Sequence, residues 1–251
     1  MIKQIFLIFI LTIGSFTSAA NASNEHTVLI VLTSHDQLGT TGRKTGFWLP
    51  ELTHPYYRLK KANINVDIAS IKGGLAPIDA KALAEPDDYH QVFLNDAELM
   101  TKVINTIPLN QIDANEYDAV IFSGGSGPMW DFPDNRDVAR VASDILNKNG
   151  VLAAVCHGVA AITNVKLANG DYLVKGKRVT GFSNQEESDL GTTDIVPFLL
   201  QNRLIERGGI YSSSAAWQTN VIEDGQLITG QNPASATLLA ERVIAKLKAN
   251  N

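Results

Sequence analysis

Gly150-Val-Leu-Ala-Ala-Val-Cys156-His157-Gly158-Val-Ala-Ala-Ile162 is the stretch on which the fold turns, and it holds the chain's only cysteine. An apolar run stops at the thiol, and a Gly-containing, Ala-rich segment of helical character follows. That is the pattern of a strand-to-helix turn that presents a nucleophile at the top of a sheet. A helix N-terminus beneath a thiol offers unpaired N–H groups and a dipole that favour the thiolate. The alternative is a buried Cys serving as a small hydrophobe.

Working outward, β-branched apolar runs alternate with segments of helical spacing. Residues 26–34, 65–71, 117–123 and 151–155 read as strands. Residues 47–62, 92–107 and 135–149 read as helices, with Pro50 suited to a first helical turn. Such alternation implies an α/β fold: one three-layer, doubly wound, mostly parallel sheet with helices on both faces. Past the cysteine, 172–180 reads as a hairpin with a Lys-Gly turn and 194–207 as a helix. Short strands are expected at 211–213 and 220–222, a turn at Asp224-Gly225, a strand at 226–229 and a closing helix at 233–249.

The chain has 251 residues and a formal net charge of −5. Residues 1–22 read as a secretory signal: Lys3 is the basic start, 5–16 the apolar core and Ala20-Asn21-Ala22 a small-x-small cleavage site. The apolar run is shorter than the roughly 20 residues a membrane span needs. The expected mature chain, 23–251, is one catalytic domain that is periplasmic or secreted and free of the membrane. No basic stripe appears, which argues against nucleic acid as a partner. A single thiol in an oxidising compartment cannot form an internal disulfide, so it is either hidden or kept for use.

A Cys nucleophile needs oxyanion donors and proton carriers. The Gly124-Gly125-Ser126-Gly127 loop follows a strand, at the sheet edge where α/β folds bind ligands. Backbone N–H groups of Gly125 or Ser126, with that of His157, are the donor candidates. His157 adjoins the thiol. Glu51, among aromatics in Phe47-Trp48-Leu49-Pro50-Glu51, is a candidate for a raised pKa and proton transfer; Glu186 and Glu187 are the other carboxylates. The five His lie at 26, 35, 54, 90 and 157, with no HExxH and no Cys pair. No metal and no cofactor is expected, and no nucleotide-binding glycine motif occurs.

Taken together, five segments resemble the ThiJ/PfpI superfamily, with its flavodoxin-like, class I glutamine-amidotransferase-like fold. They are Thr45-Gly-Phe-Trp-Leu-Pro-Glu51-Leu-Thr-His-Pro-Tyr-Tyr57, Gly124-Gly-Ser-Gly-Pro-Met-Trp-Asp-Phe-Pro-Asp-Asn135, Ala154-Val-Cys-His-Gly158, Lys175-Gly-Lys-Arg-Val-Thr-Gly-Phe-Ser-Asn-Gln-Glu-Glu187 and Leu227-Ile-Thr-Gly-Gln-Asn-Pro-Ala-Ser235. The branch they resemble holds the glyoxalase III enzymes and stress chaperones. The resemblance implies Cys156 as nucleophile, His157 as its partner, Glu187 (or Glu186, one position away) as the carboxylate orienting that His, and Glu51 as the acid against the sulfur. Ser126 stands where the family usually has His, which bears on substrate range. No His lies beyond 157 to serve as a glutaminase base.

The implied activity is a cofactor-independent conversion of 2-oxoaldehydes such as methylglyoxal to 2-hydroxy acids, with protein deglycation as a variant. A holdase chaperone and a Cys peptidase or amidase are the alternatives. A homodimer and unfolded or glycated proteins are the further partners the family implies.

Overall fold

The computed structural model describes residues 26–249. The expected signal segment, 1–22, lies outside the described residues. Nine strands are present among them: β1 Thr27–Leu32, β2 Asn65–Ser70, β3 Ile107–Pro108, β4 Ala119–Phe122, β5 Val151–Val155, β6 Arg178–Val179, β7 Ile210–Tyr211, β8 Val221–Asp224 and β9 Leu227–Gly230. Ten helices accompany them: α1 Pro50–Lys61, α2 Ala80–Ala84, α3 His90–Asn95, α4 Ala97–Ile104, α5 Pro128–Asp131, α6 Arg136–Asn147, α7 Ala160–Thr163, α8 Asn184–Asp189, α9 Leu200–Glu206 and α10 Ala236–Ala249.

The main sheet runs β3-β2-β1-β4-β5-β9-β8, parallel throughout except for β8, which pairs antiparallel with β9. β1, β4 and β5 are the central strands, and β4 and β5 are buried along their whole length. Burial on both faces explains why they read as unbroken apolar runs rather than as alternating ones. α1 packs with α10 over one face, and α6 covers β4 and β5 from the other. The chain builds outward from β1 to β3 and then resumes at β4 on the opposite side of β1. Crevices at such reversals of strand order are where open α/β sheets take ligands.

Three expected elements differ. The stretch 172–180 is not a hairpin. The Leu173 N–H donates to the Val165 carbonyl and the Gly176 N–H to that of Gly208, while β6 pairs in parallel with β7 in a separate two-stranded sheet. The stretch itself makes only turn bonds, Lys175 N–H to Tyr172 O and Lys177 N–H to Val174 O, and its strand partner comes from elsewhere in the chain, which a local turn signal cannot reveal. The helix expected over 194–207 begins only at Leu200, because Pro197 disfavours helical backbone in the residue before it. The helix expected over 92–107 is two helices. Asp96 adopts extended backbone and accepts the Leu99 N–H at 2.9 Å, ending α3 and capping α4. Ile107-Pro108 is an edge strand, a position that tolerates a missing N–H.

Candidate active site

Cys156 follows β5 directly and has φ +56°, in the left-handed region that non-glycine residues rarely occupy. It opens a short 3-10 turn, Cys156–Val159, that leads into the four-residue α7. The elbow needs glycine beneath it: a Cβ on Gly158 would sit 2.3 Å from the Phe122 carbonyl oxygen. The loop after β4 needs it as well. Gly125 has φ +93°, and a Cβ on Gly124 would lie 2.4 Å from a Glu51 carboxyl oxygen and 2.8 Å from Cys156 Cβ.

The structure brings the expected side chains together. His157 Nδ1 lies 3.6 Å from Cys156 Sγ, and its Nε2 lies 2.8 Å from Glu187 Oε2. Glu187 Oε1 accepts a short hydrogen bond from the Thr192 hydroxyl. Glu187 accepts from Nε2–H, so Nδ1 is the ring nitrogen that faces the sulfur. Burial would raise the Glu187 pKa, but the His157 charge and the hydrogen bonds from His157 and Thr192 outweigh it and hold this carboxyl below its ordinary value. The ring is further fixed by Phe182, 4.2 Å away centroid to centroid.

Glu51 stands in the first turn of α1 with no exposed surface. Its Oε2 accepts the Gly124 N–H at 2.7 Å, while Oε1 has no partner of standard geometry. Burial, only partly offset by the Cys156 and Gly124 interactions, pushes its pKa up to about 8. At neutral pH it is therefore a carboxylic acid. The thiol is also pushed up, first by burial and then by charge on Glu51, against the Gly125 and His157 N–H groups that point at the sulfur. The elbow supplies two N–H donors, yet burial and the neighbouring carboxyl outweigh them and favour the thiol. The two groups titrate as a pair, because charge on one opposes charge on the other.

Beside these groups lies a cavity of about 650 Å³ with largely apolar walls, including Trp48, Phe182 and Trp217. Gly125, Ser126, Cys156 and His157 reach it. Of the donors considered from the sequence, the N–H groups of Gly125 and His157 face the sulfur. Glu187, rather than Glu186, meets His157. Glu186 instead caps α8, in a Ser183/Glu186 capping box, and accepts from the Trp217 N–H at 2.9 Å, Gln231 Nε2 at 3.1 Å and Asn232 Nδ2 at 2.7 Å. The Ser-x-x-Glu spacing at 183–186 could have revealed α8 from sequence. Thr192 and Trp217 had no sequence signal, since tertiary folding alone brings them here. Among the described residues no group of three His, Cys, Asp or Glu side chains is placed to hold a metal ion.

Comparison with known proteins agrees in extent and fold. The DJ-1/PfpI family model matches residues 44–246. The chain is 32% identical over 235 residues to glyoxalase 3 of Candida albicans, covering 89% of this chain and 99% of that protein. It is equally identical, over 233 residues, to a glutathione-independent glyoxalase of Saccharomyces cerevisiae, covering 88% and 98%. Among solved structures, the rapid encystment protein of Francisella tularensis is 50% identical with a TM-score of 0.86, covering 88% of this chain and 99% of that one. Glyoxalase III from Candida albicans is 30% identical with a TM-score of 0.82, covering 88% and 96%. With a family model spanning most of its length and relatives matched nearly end to end, this chain belongs to the DJ-1/PfpI family.

Proposed function

We propose that the protein is a glutathione-independent glyoxalase that converts 2-oxoaldehydes such as methylglyoxal to 2-hydroxy acids. The observation that carries the reading is the arrangement around one sulfur: a protonated Glu51, two backbone N–H groups, and a His157 ring held by Glu187. The relatives named above as glyoxalases support it. Addition of a thiol to an aldehyde needs a proton delivered to the carbonyl oxygen, and Glu51 carries one. Isomerisation next needs a base at the former aldehyde carbon, and His157 Nδ1 faces that side.

In the first step the Cys156 sulfur bonds to the aldehyde carbon. The aldehyde oxygen gains a proton through Glu51, which takes up the thiol proton in exchange, and a hemithioacetal results. His157 Nδ1 then removes the C–H proton. The electron pair moves into an enediolate whose oxygen meets the Gly125 and His157 N–H groups. Return of that proton to the neighbouring carbon, with passage of the hydroxyl proton of the first carbon to the oxygen of its neighbour, yields a thioester beside a new hydroxyl-bearing carbon. Water cleaves the thioester, restores the thiol and releases the acid. The sum is aldehyde plus water to hydroxy acid, so the oxidation of one carbon and the reduction of its neighbour balance within the substrate.

Lactate formation from methylglyoxal by the purified protein is the test. Wild type is expected to form it without glutathione, and Cys156→Ala to lose about a thousand-fold or more of the rate. Equal rates for the two proteins would overturn the reading.

A further inference from the structure

We propose that the preferred substrates are 2-oxoaldehydes carrying a hydroxylated, sugar-derived tail, and that the tail is held in a polar annexe beside the thiol cavity; this rests on the aldehyde chemistry proposed above. The size of the site is the first observation. Methylglyoxal has five heavy atoms and fills roughly 100–150 Å³, judged from the ≈30 Å³ a water occupies in liquid. The cavity over Cys156 holds about 650 Å³. A second cavity of about 210 Å³ adjoins it, and the two share Trp48, Glu85, Pro233 and Ala234 as walls.

The chemistry of the annexe is the second observation. Thr237 Oγ1 lies 2.7 Å from His54 Nδ1, and His54 Nε2 lies 2.8 Å from Asp87 Oδ2. Asp87 only accepts, so Nε2 donates to it; Nδ1 shares a hydrogen bond with the Thr237 hydroxyl, whose oxygen keeps at least one lone pair for a ligand. Glu85 is exposed, and among the described residues its side chain makes no hydrogen bond, which leaves a free carboxylate at the junction of the cavities. The half-buried Trp48 ring forms the shared wall.

Acceptor oxygens beside an aromatic ring suit a polyol. Its C–H face packs on the indole, and its hydroxyls donate to carboxylates and to the threonine oxygen. Inside the annexe a phosphate or carboxylate tail would meet the charges of Glu85 and Asp87, because the cations Arg43, Lys44 and Lys81 line only the larger cavity. An apolar tail would make no hydrogen bond to Glu85 or to the Thr237 hydroxyl and would gain nothing from them. The reaction is that proposed above: a six-carbon 2-oxoaldehyde such as glucosone plus water gives a hexonate.

Three stable 2-hydroxy acids with one head group and different tails provide the test: lactate (methyl), mandelate (phenyl) and gluconate (polyol). Their binding to the Cys156→Ala protein is read by calorimetry. Gluconate is expected to bind about ten-fold tighter than lactate and tighter than mandelate, since two or three tail hydrogen bonds at about 0.5–1.5 kcal/mol each supply that factor. Adding Glu85→Ala or Thr237→Val is expected to cut the gluconate advantage about three-fold or more while thermal melting shows an intact fold. Equal binding of the three acids, tightest binding of mandelate, or an advantage that survives both substitutions overturns the proposal. Turnover of methylglyoxal and glucosone by wild type is read separately. If neither yields acid, the reaction proposed for the site fails, and the binding order still decides the annexe.

Discussion

A carboxyl group cut off from water holds its proton, and Glu51, entirely buried and short of one hydrogen-bond partner, does so up to about pH 8. Stability follows. Below pH 4.5, the ordinary value for Glu, the group is protonated both folded and unfolded. Above it the unfolded chain releases the proton and the fold keeps it, so rising pH lowers stability until about pH 8. Glu51→Gln keeps an acceptor for the Gly124 N–H and cannot ionise. Relative to wild type it is expected to gain stability from pH 5 to pH 8, on the order of 3 kcal/mol at neutral pH, in denaturant titrations across that range. The same ionisation removes the acid and places a negative charge beside the sulfur, so wild-type kcat/KM is expected to fall above about pH 8. A gain that does not grow with pH would refute this account of Glu51. The sequence allowed Glu51 to be singled out, since its aromatic neighbours signal burial. Only the resemblance set Glu51 against the sulfur; spacing alone could not, because Gly124, which lets the two groups approach, acts by having no side chain.

Elements were legible where capping and periodicity agreed. α6 is an example: Asn135 Oδ1 accepts the N–H groups of Asp137 and Val138, and four apolar residues line the buried face. They were illegible where pairing is long-range, as in the β6–β7 sheet, or where a proline breaks a promising pattern, as before α9. The six-residue α8 is too short for periodicity, yet it carries the carboxylate that holds His157. A helix of that length has little intrinsic stability. Its anchor is Glu186, whose two oxygens accept five hydrogen bonds from Ser183, Trp217, Gln231 and Asn232. Glu186→Gln places an amide N–H₂ against donors. It is expected to cost about 3 kcal/mol in chemical denaturation and to lower kcat more than it raises KM, because Glu187 moves with the helix. Wild-type kinetics and stability in this variant would show that α8 holds its place without the Glu186 contacts.

At the scale of the molecule, the sequence carried the class of fold because alternating strands and helices leave few topologies open. It did not carry the strand order. β9 lies against β5 although the chain from Val155 to Leu227 intervenes, and Glu186, inside that span, is held by Gln231 and Asn232 just beyond β9. This pairing has a kinetic meaning. Parallel strands far apart in sequence close large loops before any contact rewards them, and such topologies fold slowly. The strained turn at Cys156 is held between β4, β5 and β9, so it cannot form ahead of them. On dilution from denaturant, helical circular dichroism is expected to return before thiol burial and catalytic competence, which should appear together in the last phase. Simultaneous recovery of all three would contradict this order. A newly made chain therefore passes through a stage with a reachable, unprotected cysteine, and the folded pocket is also what shields the thiol from oxidation.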